Sequence, residues 1–576
     1  MKIVSSGSQT IRFGAFELDT SAGELRKQGI KIKLQEQPLR ILQMLLANPG
    51  QVVTREELRG ALWPTHTFVD FDQGLNRAIN KLREALEDSA DSPRFIETLA
   101  RRGYRFLGDL IADATQIRSL LILPLENLSQ DPEQGYFADG LTEALTTTLA
   151  KISALRVLSR TTAVFYKRAQ KPLREIAREL GVDGVLEGSV LRSQGRVRIT
   201  VQLLHAPTDT HLWAESYERG MRDILGLQAE VTSAIAREIQ VKVTPHEETQ
   251  LARRPPVDPD AYDAYLRGLC YWDKRTPDAI RKAIQSFEQA ITRDPNLAIA
   301  HAGLAQCFNA LGWYGYVGPA EGCQKGKAQA LRTLAIDPNL AEAHAALAWA
   351  TESFDYDFLT AEREYRRAIA LDPRYSVAHY RLAVSLAYVG RFEEAIAESK
   401  LAVSLDPYAA APIASLSFVY QLAGECEQLL AHAKKNAELH PDTPLAHWGL
   451  GGGYRETGDL SAAIREFQLA VECTEGATLF LALLSESLAL AGRTADAQNI
   501  LQQLQERSNQ QYVDLYFIGR IYTALGLKDE ALRSLETAYQ EHGAWMVMLN
   551  CDRRLRPLRS DPRFQALVRR MNFPSR

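Results

Sequence analysis

Residues 72–87 are Asp-Gln-Gly-Leu-Asn-Arg-Ala-Ile-Asn-Lys-Leu-Arg-Glu-Ala-Leu-Glu, and this stretch decides how the first part of the chain folds. Leucine or isoleucine recurs at spacings of four, three and four residues, which is typical of an α-helix with one apolar stripe. The spacing predicts a helix from Asp72 to about Glu87. The polar side chains that it leaves off the buried stripe are Asn76, Arg77, Asn80, Lys81 and Arg83.

The residues before this helix predict a small sheet and two further helices. In Ile30-Lys-Ile-Lys-Leu34 apolar and basic residues alternate, as they do in a half-buried strand. Pro38 suits the first turn of a helix that ends at the Asn48-Pro-Gly50 stretch. The stretch Thr54-Arg-Glu-Glu57 is a capping box that begins a second helix, and Pro64 ends it. The helix of residues 72–87 is therefore the third.

The residues after the third helix predict a basic β-hairpin. Phe95-Ile-Glu-Thr-Leu99 and Tyr104-Arg-Phe106 flank a tip, Ala100-Arg-Arg-Gly103, which carries two arginines. We expect Gly103 to supply the positive φ that a tight turn favours.

A sheet, three helices and a basic hairpin in this order resemble the OmpR/PhoB family of winged-helix transcription regulators. The resemblance covers residues 11 to 108, within a domain predicted at 8–110, and it depends on local motifs that recur in this order. The motifs are Leu39-Arg-Ile-Leu-Gln-Met-Leu, Val53-Thr-Arg-Glu-Glu-Leu, Leu62-Trp-Pro, Leu75-Asn-Arg-Ala-Ile-Asn-Lys-Leu-Arg-Glu-Ala-Leu and Phe95-Ile-Glu-Thr-Leu-Ala-Arg-Arg-Gly-Tyr-Arg-Phe.

The resemblance implies that the third helix enters the major groove of double-stranded DNA and that the hairpin reaches the adjacent minor groove. Arg77, Asn80 and Lys81 are then the candidates for contacts with base edges, because Arg and Lys pair with guanine and Asn with adenine. A polar helix face that is merely solvated is the alternative. The candidates for phosphate and wing contacts are Thr54, Asn76, Arg83, Arg101 and Arg102.

Composition limits the class of protein. A chain of 576 residues is too long for one core, and its apolar fraction of 46% is that of a globular protein. Its formal charge is -4, yet residues 1–110 carry 16 basic and 14 acidic side chains, a balance that permits DNA binding.

The six cysteines form no C-x-x-C pair, so we expect no metal and no cofactor. Neither a secretory signal nor a membrane segment is evident, which predicts a cytoplasmic protein.

Residues 117–245 alternate between strand and helix and predict an α/β module. The module resembles the FlgO/TolB-N-like domain in Leu123-Pro-Leu-Glu-Asn-Leu-Ser, Tyr136-Phe-Ala-Asp-Gly-Leu-Thr-Glu, Leu186-Glu-Gly-Ser-Val and His211-Leu-Trp-Ala-Glu-Ser-Tyr. Its acidic and histidine residues match no nucleophile, metal or phosphate-loop spacing, so we expect no enzyme. The residues considered were Asp139, Glu143, Glu187, His205 and His211.

Residues 260–560 contain a repeat. Asp-Pro or His-Pro ends at Pro295, Pro338, Pro373, Pro407 and Pro441, at intervals of 43, 35, 34 and 34 residues. Ala283, Ala361 and Ala395 stand twelve residues before three of these prolines, where paired helices cross closely. Gly390, Gly424 and Gly458 recur in the turns between them. The units resemble tetratricopeptide repeats, with expected irregularities between Gly312 and Gly326 and at Leu429.

Tetratricopeptide arrays generally hold a protein or peptide in a curved groove. Aromatic residues could line that groove or fill the core between repeats, and the latter is the more common use of such residues. They are Tyr380, Tyr388, Tyr420, Trp448 and Tyr454.

The fold class predicted is multidomain: a winged helix-turn-helix (α+β), a small α/β module and an all-α tetratricopeptide-type solenoid. The leading hypothesis is a one-component DNA-binding transcription regulator, controlled by an unknown protein, peptide or small effector and binding DNA as a homodimer by analogy. One alternative is an interaction scaffold whose winged helix does not bind DNA. The other is an enzyme within the middle module.

Overall fold

The computed structural model describes residues 10–20, 23–27, 30–63, 71–100, 102–108, 110–111, 117–129, 131, 134–169, 171–239, 244, 257–272, 274 and 276–574. The chain divides into two compact units, residues 1–116 and residues 117–576. Among the described residues, no helix combines the length and the apolar character needed to cross a membrane.

The first unit is two small sheets around three helices. Its sheets have the strand orders β4-β3-β2-β1-β8 and β5-β7-β6. The strands are β1 (Thr10–Phe13), β2 (Phe16–Asp19), β3 (Glu24–Lys27), β4 (Ile30–Ile32), β5 (Val52–Thr54), β6 (Ile96–Leu99), β7 (Gly103–Phe106) and β8 (Leu110–Ile111). The helices are α1 (Glu36–Ala47), α2 (Arg55–Leu62) and α3 (Phe71–Leu86).

The core of the first unit confirms the apolar stripe of the third helix. Leu75, Ile79, Leu82 and Leu86 are all buried, as are Leu42, Leu45 and Leu46 of α1. Phe13, Phe16, Phe95 and Phe106 pack ring against ring beneath the sheets. Because the stripe of α3 is committed to this core, the opposite face of the helix is directed outward.

The second unit begins with the predicted α/β module, a sheet of order β11-β9-β12-β13-β14 in which β10 also pairs with β12. Strand β9 pairs in parallel with β11 and β12, whereas β12-β13-β14 is an antiparallel meander. The elements are β9 (Ser119–Ile122), β10 (Glu126–Asn127), α4 (Gly135–Ala150), β11 (Arg156–Val157), α5 (Arg160–Ala169), α6 (Leu173–Leu180), β12 (Gly184–Ser193), β13 (Arg196–His205), β14 (Thr210–Gly220) and α7 (Ile224–Glu238).

Paired helices form the rest of the second unit. They are α8 (Pro259–Trp272), α9 (Pro277–Arg293), α10 (Ala298–Trp313), α11 (Lys325–Ile336), α12 (Ala341–Ala350), α13 (Phe358–Leu371), α14 (Ser376–Tyr388), α15 (Phe392–Leu405), α16 (Ala410–Ala423), α17 (Cys426–Leu439), α18 (Pro444–Glu456), α19 (Leu460–Cys473), α20 (Thr478–Leu490), α21 (Thr494–Arg507), α22 (Leu515–Ala524), α23 (Lys528–Gln540) and α24 (Pro562–Arg570). Two π-helical turns interrupt this pattern, Ala320–Gln324 before α11 and Thr351–Asp355 after α12.

The small residues that mark the repeat have the predicted roles. Ala283, Ala361 and Ala395 are fully buried between paired helices. In the irregular second interval Gly326 takes this place, since a Cβ there would lie 2.0 Å from Asn309 Oδ1. The helix pair that contains Leu429 is regular, so the irregularity expected there is absent. The turn glycines at 390, 424 and 458 all have positive φ.

The α/β module and the helical repeats pack directly against each other. Tyr136 on α4 donates a hydrogen bond to Asp263 on α8 at 2.8 Å. Phe165 on α5 stacks on Tyr408 between α15 and α16, with ring centroids 4.8 Å apart. The apolar residues of both parts belong to one continuous core. The module is therefore docked on two separate repeats.

Candidate nucleic-acid interface

The outward face of α3 carries the base-contact candidates. Arg77 and Asn80 are exposed and lie one helical turn apart, with side chains on the same face. Among the described residues neither side chain has a hydrogen-bond or ion-pair partner. Both side chains are therefore available for an external acceptor or donor.

Lys81 lies on the same face but is tethered. It is exposed, and its Nζ donates a hydrogen bond to Gln35 Oε1 at 2.8 Å. Gln35 immediately precedes α1, so this contact links the third helix to the start of the first. An exposed hydrogen bond of this kind is weak enough to exchange for a base or a phosphate.

Asn76 is held in a network that sequence reasoning missed. Arg55 Nη2 donates to Asn76 Oδ1 and to Asp72 Oδ1, both at 3.0 Å, and Arg55 Nη1 donates to the Tyr104 hydroxyl at 3.1 Å. The Tyr104 hydroxyl in turn donates to Asn76 Oδ1 at 3.0 Å. Arg55 thus fixes α3 relative to the hairpin strand β7. We did not predict this role because Arg55 lies inside the capping-box motif.

Thr54 caps α2, as the motif predicts. Glu57 N donates to Thr54 Oγ1 at 3.2 Å, and Thr54 N donates to Glu57 Oε2 at 2.7 Å. The Thr54 amide also holds the pKa of Glu57 below its ordinary value, so the start of α2 carries a negative charge. That charge disfavours a phosphate, and we assign Thr54 to the cap and leave it out of the proposed interface.

Arg83 is a packing residue in this structure. Its side chain is buried, with the residue only 7% exposed, and its Nη2 donates to the Ile96 carbonyl at 2.8 Å and to Thr98 Oγ1 at 2.7 Å. The guanidinium thus fastens α3 to strand β6. The position was expected to face a phosphate because helical periodicity placed it beside the stripe, one residue beyond Leu82.

The hairpin tip carries the remaining basic candidates. Arg102 is exposed, while Arg101 lies outside the described residues. Gly103 does not have the positive φ that we predicted; instead, a Cβ there would lie 2.1 Å from the Val53 carbonyl oxygen. A glycine is required because β5 and β7 approach closely at this point. This contact holds the tip end of β7 against β5.

A helix with an outward polar face, next to a hairpin with a basic tip, defines a winged-helix DNA-binding domain. The comparisons with known proteins agree. Residues 29–106 match the family model described as transcriptional regulatory protein, C terminal, and residues 356–410 match the tetratricopeptide repeat. The chain thus combines an OmpR/PhoB-type winged helix with tetratricopeptide repeats.

Several curated proteins are similar to part of this chain. A putative adenylate cyclase 3 of Rhizobium meliloti is 43% identical over 32% of each chain. The cholera toxin homolog transcriptional activator of Vibrio parahaemolyticus is 34% identical over 18% of this chain and 36% of its own. The cholera toxin transcriptional activator of Vibrio cholerae is 36% identical over 13% and 26%. The chain thus covers roughly a third of these relatives' lengths.

Solved structures resemble separate parts of the chain. The response regulator DrrB of Thermotoga maritima, described as an OmpR/PhoB homolog, is 32% identical and covers 17% of this chain and 45% of its own, with a TM-score of 0.16. Yeast Tom70 is 16% identical and covers 55% and 68%, with a TM-score of 0.35.

Part of the surface that we expected to hold a peptide is covered by the chain itself. Residues 544–558 contact the first helices of several repeats, and Trp545, only 2% exposed, is at the centre of these contacts. Its ring centroid lies 4.4 Å from that of Trp313, 5.0 Å from Phe517 and 5.8 Å from Trp448. The Trp545 indole N–H donates to the Trp313 carbonyl at 2.7 Å.

The remaining aromatic candidates are also used internally. Tyr380, Tyr388 and Tyr420 are buried, and Tyr454 is partly buried against the core. The interpretation of these residues as core is therefore confirmed for the buried three.

A buried ionic network anchors the same segment. Asp552 is fully buried, and its carboxylate accepts hydrogen bonds from Tyr516 at 2.7 Å and from Arg554 Nε at 2.9 Å. Arg520 bridges Asp552 and Glu486. Nearby arginines hold the pKa of Asp552 far below its ordinary value, although burial alone would raise it. Residues 544–558 are thus fixed in the interior by both aromatic packing and charge.

Proposed function

We propose that this protein is a one-component transcription regulator whose winged helix binds a specific sequence of double-stranded DNA. The observation that supports this most directly is the pair Arg77 and Asn80, which are exposed on α3 and have no hydrogen-bond or ion-pair partner within the described part of the chain. Arg77 would donate two hydrogen bonds to a guanine and Asn80 would pair with an adenine, while Lys81 would contact a neighbouring base. The similarity to two transcriptional activators of Vibrio and to a transcriptional regulatory protein of Streptomyces coelicolor supports the same assignment.

Phosphate contacts would come from the wing. The exposed Arg102, together with Arg101, would neutralise phosphates beside the minor groove and set the position of α3 without selecting a sequence. Asn76 would act as a positioning residue through Arg55 and Tyr104. Control would come from the second unit, through an effector or a partner, and two copies would occupy adjacent half-sites.

The test is a selection of binding sites from random duplex DNA with the full chain, followed by titrations of the selected and a scrambled duplex. We expect Arg77→Ala and Asn80→Ala each to cost about 1–3 kcal/mol on the selected duplex and little on the scrambled one. Arg102→Ala should weaken binding to both duplexes equally and lower the salt slope by about one.

Arg26→Ala provides a matched loss of charge, because Arg26 is an exposed arginine in β3 of the other sheet. It should leave both affinities unchanged. Selection of no consensus, or equal weak binding of both duplexes by the wild-type chain, would refute sequence-specific binding and favour the interaction scaffold.

A further inference from the structure

Among the described residues, several buried polar atoms without hydrogen-bond partners lie between the third and fourth helix pairs, α12–α13 and α14–α15. They include Trp349 Nε1, Glu352 Oε1, Tyr365 Oη and Tyr388 Oη, and each of these residues is at least nine-tenths buried. Buried polar groups in native proteins nearly always have partners, so a cluster of exceptions indicates a missing ligand or solvent. The cluster therefore marks a place where something polar binds.

Arg381 brings a positive charge to this cluster. Its guanidinium carbon lies 3.3 Å from the centroid of the Trp349 indole ring, and its Nε is another buried atom without a partner. No carboxylate lies within 4.0 Å of it among the described residues. Arg381 is partly buried as a whole residue, whereas its Nε, which lies within the cluster, is buried. A cation placed this way favours an anion.

The nearby carboxyl group of Glu352 does not neutralise the positive charge of Arg381. Glu352 is hydrogen-bonded to Ser385, and burial raises its pKa to about 8. At neutral pH its carboxyl is therefore mostly protonated and acts as a donor. The free groups of the cluster are then chiefly donors: an indole N–H, a guanidinium N–H, two phenol hydroxyls and a carboxylic acid. Such a set suits a ligand that offers acceptors.

The backbone at this place is also unusual. The π-helical turn Thr351–Asp355 carries Glu352, and the next residue, Tyr356, has a φ of +57° although it is not a glycine. Single π-helical turns and left-handed non-glycine residues are both enriched at functional sites. The widened π-helical turn that follows α12 thus carries Glu352.

We propose that this cluster is a binding site for a small organic carboxylate, held by the Arg381 guanidinium and by the donors of Trp349, Tyr365 and Tyr388. This rests on the proposed function, for which it supplies the chemical class of the effector. Trp313 stacks on Trp545, so the site adjoins the segment 544–558 that fills the interior.

The test uses the full chain without DNA, so its outcome is independent of DNA binding. Thermal unfolding is followed with acetate, succinate, benzoate, inorganic phosphate and, as the neutral counterpart of benzoate, benzamide. We expect at least one carboxylate to raise the unfolding temperature of the second unit saturably, with benzamide inactive. Arg381→Met should weaken its binding at least tenfold by calorimetry, whereas Arg366→Gln, a surface arginine of α13, should not.

Tyrosine variants keep the test decisive if Arg381→Met does not fold. Tyr365→Phe and Tyr388→Phe remove hydroxyls without partners, so they should leave the free protein as stable as the wild type and weaken carboxylate binding several-fold. Tyr516→Phe is the matched control, because it removes a hydroxyl bonded to Asp552 and should lower stability alone. The proposal is overturned if no carboxylate exceeds benzamide, if phosphate alone binds, or if Arg381→Met binds normally.

Discussion

The two units of this protein place their candidate binding groups in opposite positions. In the winged helix these groups are outside, at Arg77 and Asn80 on the exposed face of α3. In the repeat half they are inside, around Trp349 and Tyr388. A duplex is too large to be enclosed and must meet a surface, whereas a small molecule is recognised best where water is excluded. In each unit the position of the candidate groups matches the size of the proposed ligand.

The largest effect is expected at the centre of the repeat half. Trp545→Ala removes the side chain that joins Trp313, Phe517 and Trp448, and it should destabilise the second unit by about 3–5 kcal/mol. Denaturant unfolding followed by circular dichroism measures this, with Leu359→Ala, at a 67% exposed leucine, as the control. Equal small shifts for both variants would mean that residues 544–558 are not part of the core.

The sequence predicted the helices, strands and turns of both units better than the tertiary contacts between them. The 34-residue spacing located the turn glycines, and it continues at Gly492 and Gly526, which also have positive φ. What periodicity cannot reveal is which segment covers a face. Trp545 bonds to Trp313 across 232 residues, and no local pattern encodes that contact.

Strand β14 and the burial of Arg83 were not predicted from the sequence, and each has a physical reason. Strand β14 is exposed at most positions, so apolar and polar residues do not alternate along it. Arg83 appeared to be a surface residue because an arginine is rarely buried, and only the carbonyl of Ile96 explains its position. Arg77 and Asn80 were located correctly on the exposed face, while their contacts with bases stay predictions.

The next largest effect concerns the buried cluster of the repeat half, which should make the stability of the second unit depend on pH. Burial raises the pKa of Glu352 from 4.5 to about 8, so the folded chain retains a proton that the unfolded chain releases. The contribution of Glu352 to the stability of the second unit should be fully present below pH 4.5 and should fall by up to about 1.4 kcal/mol per unit as the pH rises towards 8. Urea unfolding between pH 5 and 8 measures the slope, which Glu352→Gln should flatten. An unchanged slope would contradict the burial of this carboxyl.

A smaller effect separates packing from DNA contact within the winged helix. Arg83→Ala removes hydrogen bonds to Ile96 and Thr98 and should destabilise the first unit by about 2–3 kcal/mol. Below its unfolding temperature the variant should bind DNA with the wild-type salt slope. Arg77→Ala should do the reverse, with unchanged stability and weaker DNA binding. A lower salt slope for Arg83→Ala would restore the phosphate contact predicted from sequence.

The smallest effect concerns the cap of α2. Thr54→Ala removes the hydroxyl that accepts from Glu57 N and should cost about 1 kcal/mol. Thr54→Ser keeps the cap and serves as the control in the same thermal unfolding experiment. A loss of DNA affinity in Thr54→Ala without a change in stability would instead support a phosphate contact at this residue.

The filling of the repeat interior by residues 544–558 has a consequence during synthesis. The ribosome makes Trp313 232 residues before Trp545, a delay of roughly 10–50 s at ordinary elongation rates. During that interval the emerging repeats lack the Trp545 side chain, which contacts Trp313, Phe418 and Trp448 in the finished fold. A nascent chain halted before residue 544 therefore exposes part of an aromatic surface that the finished segment covers.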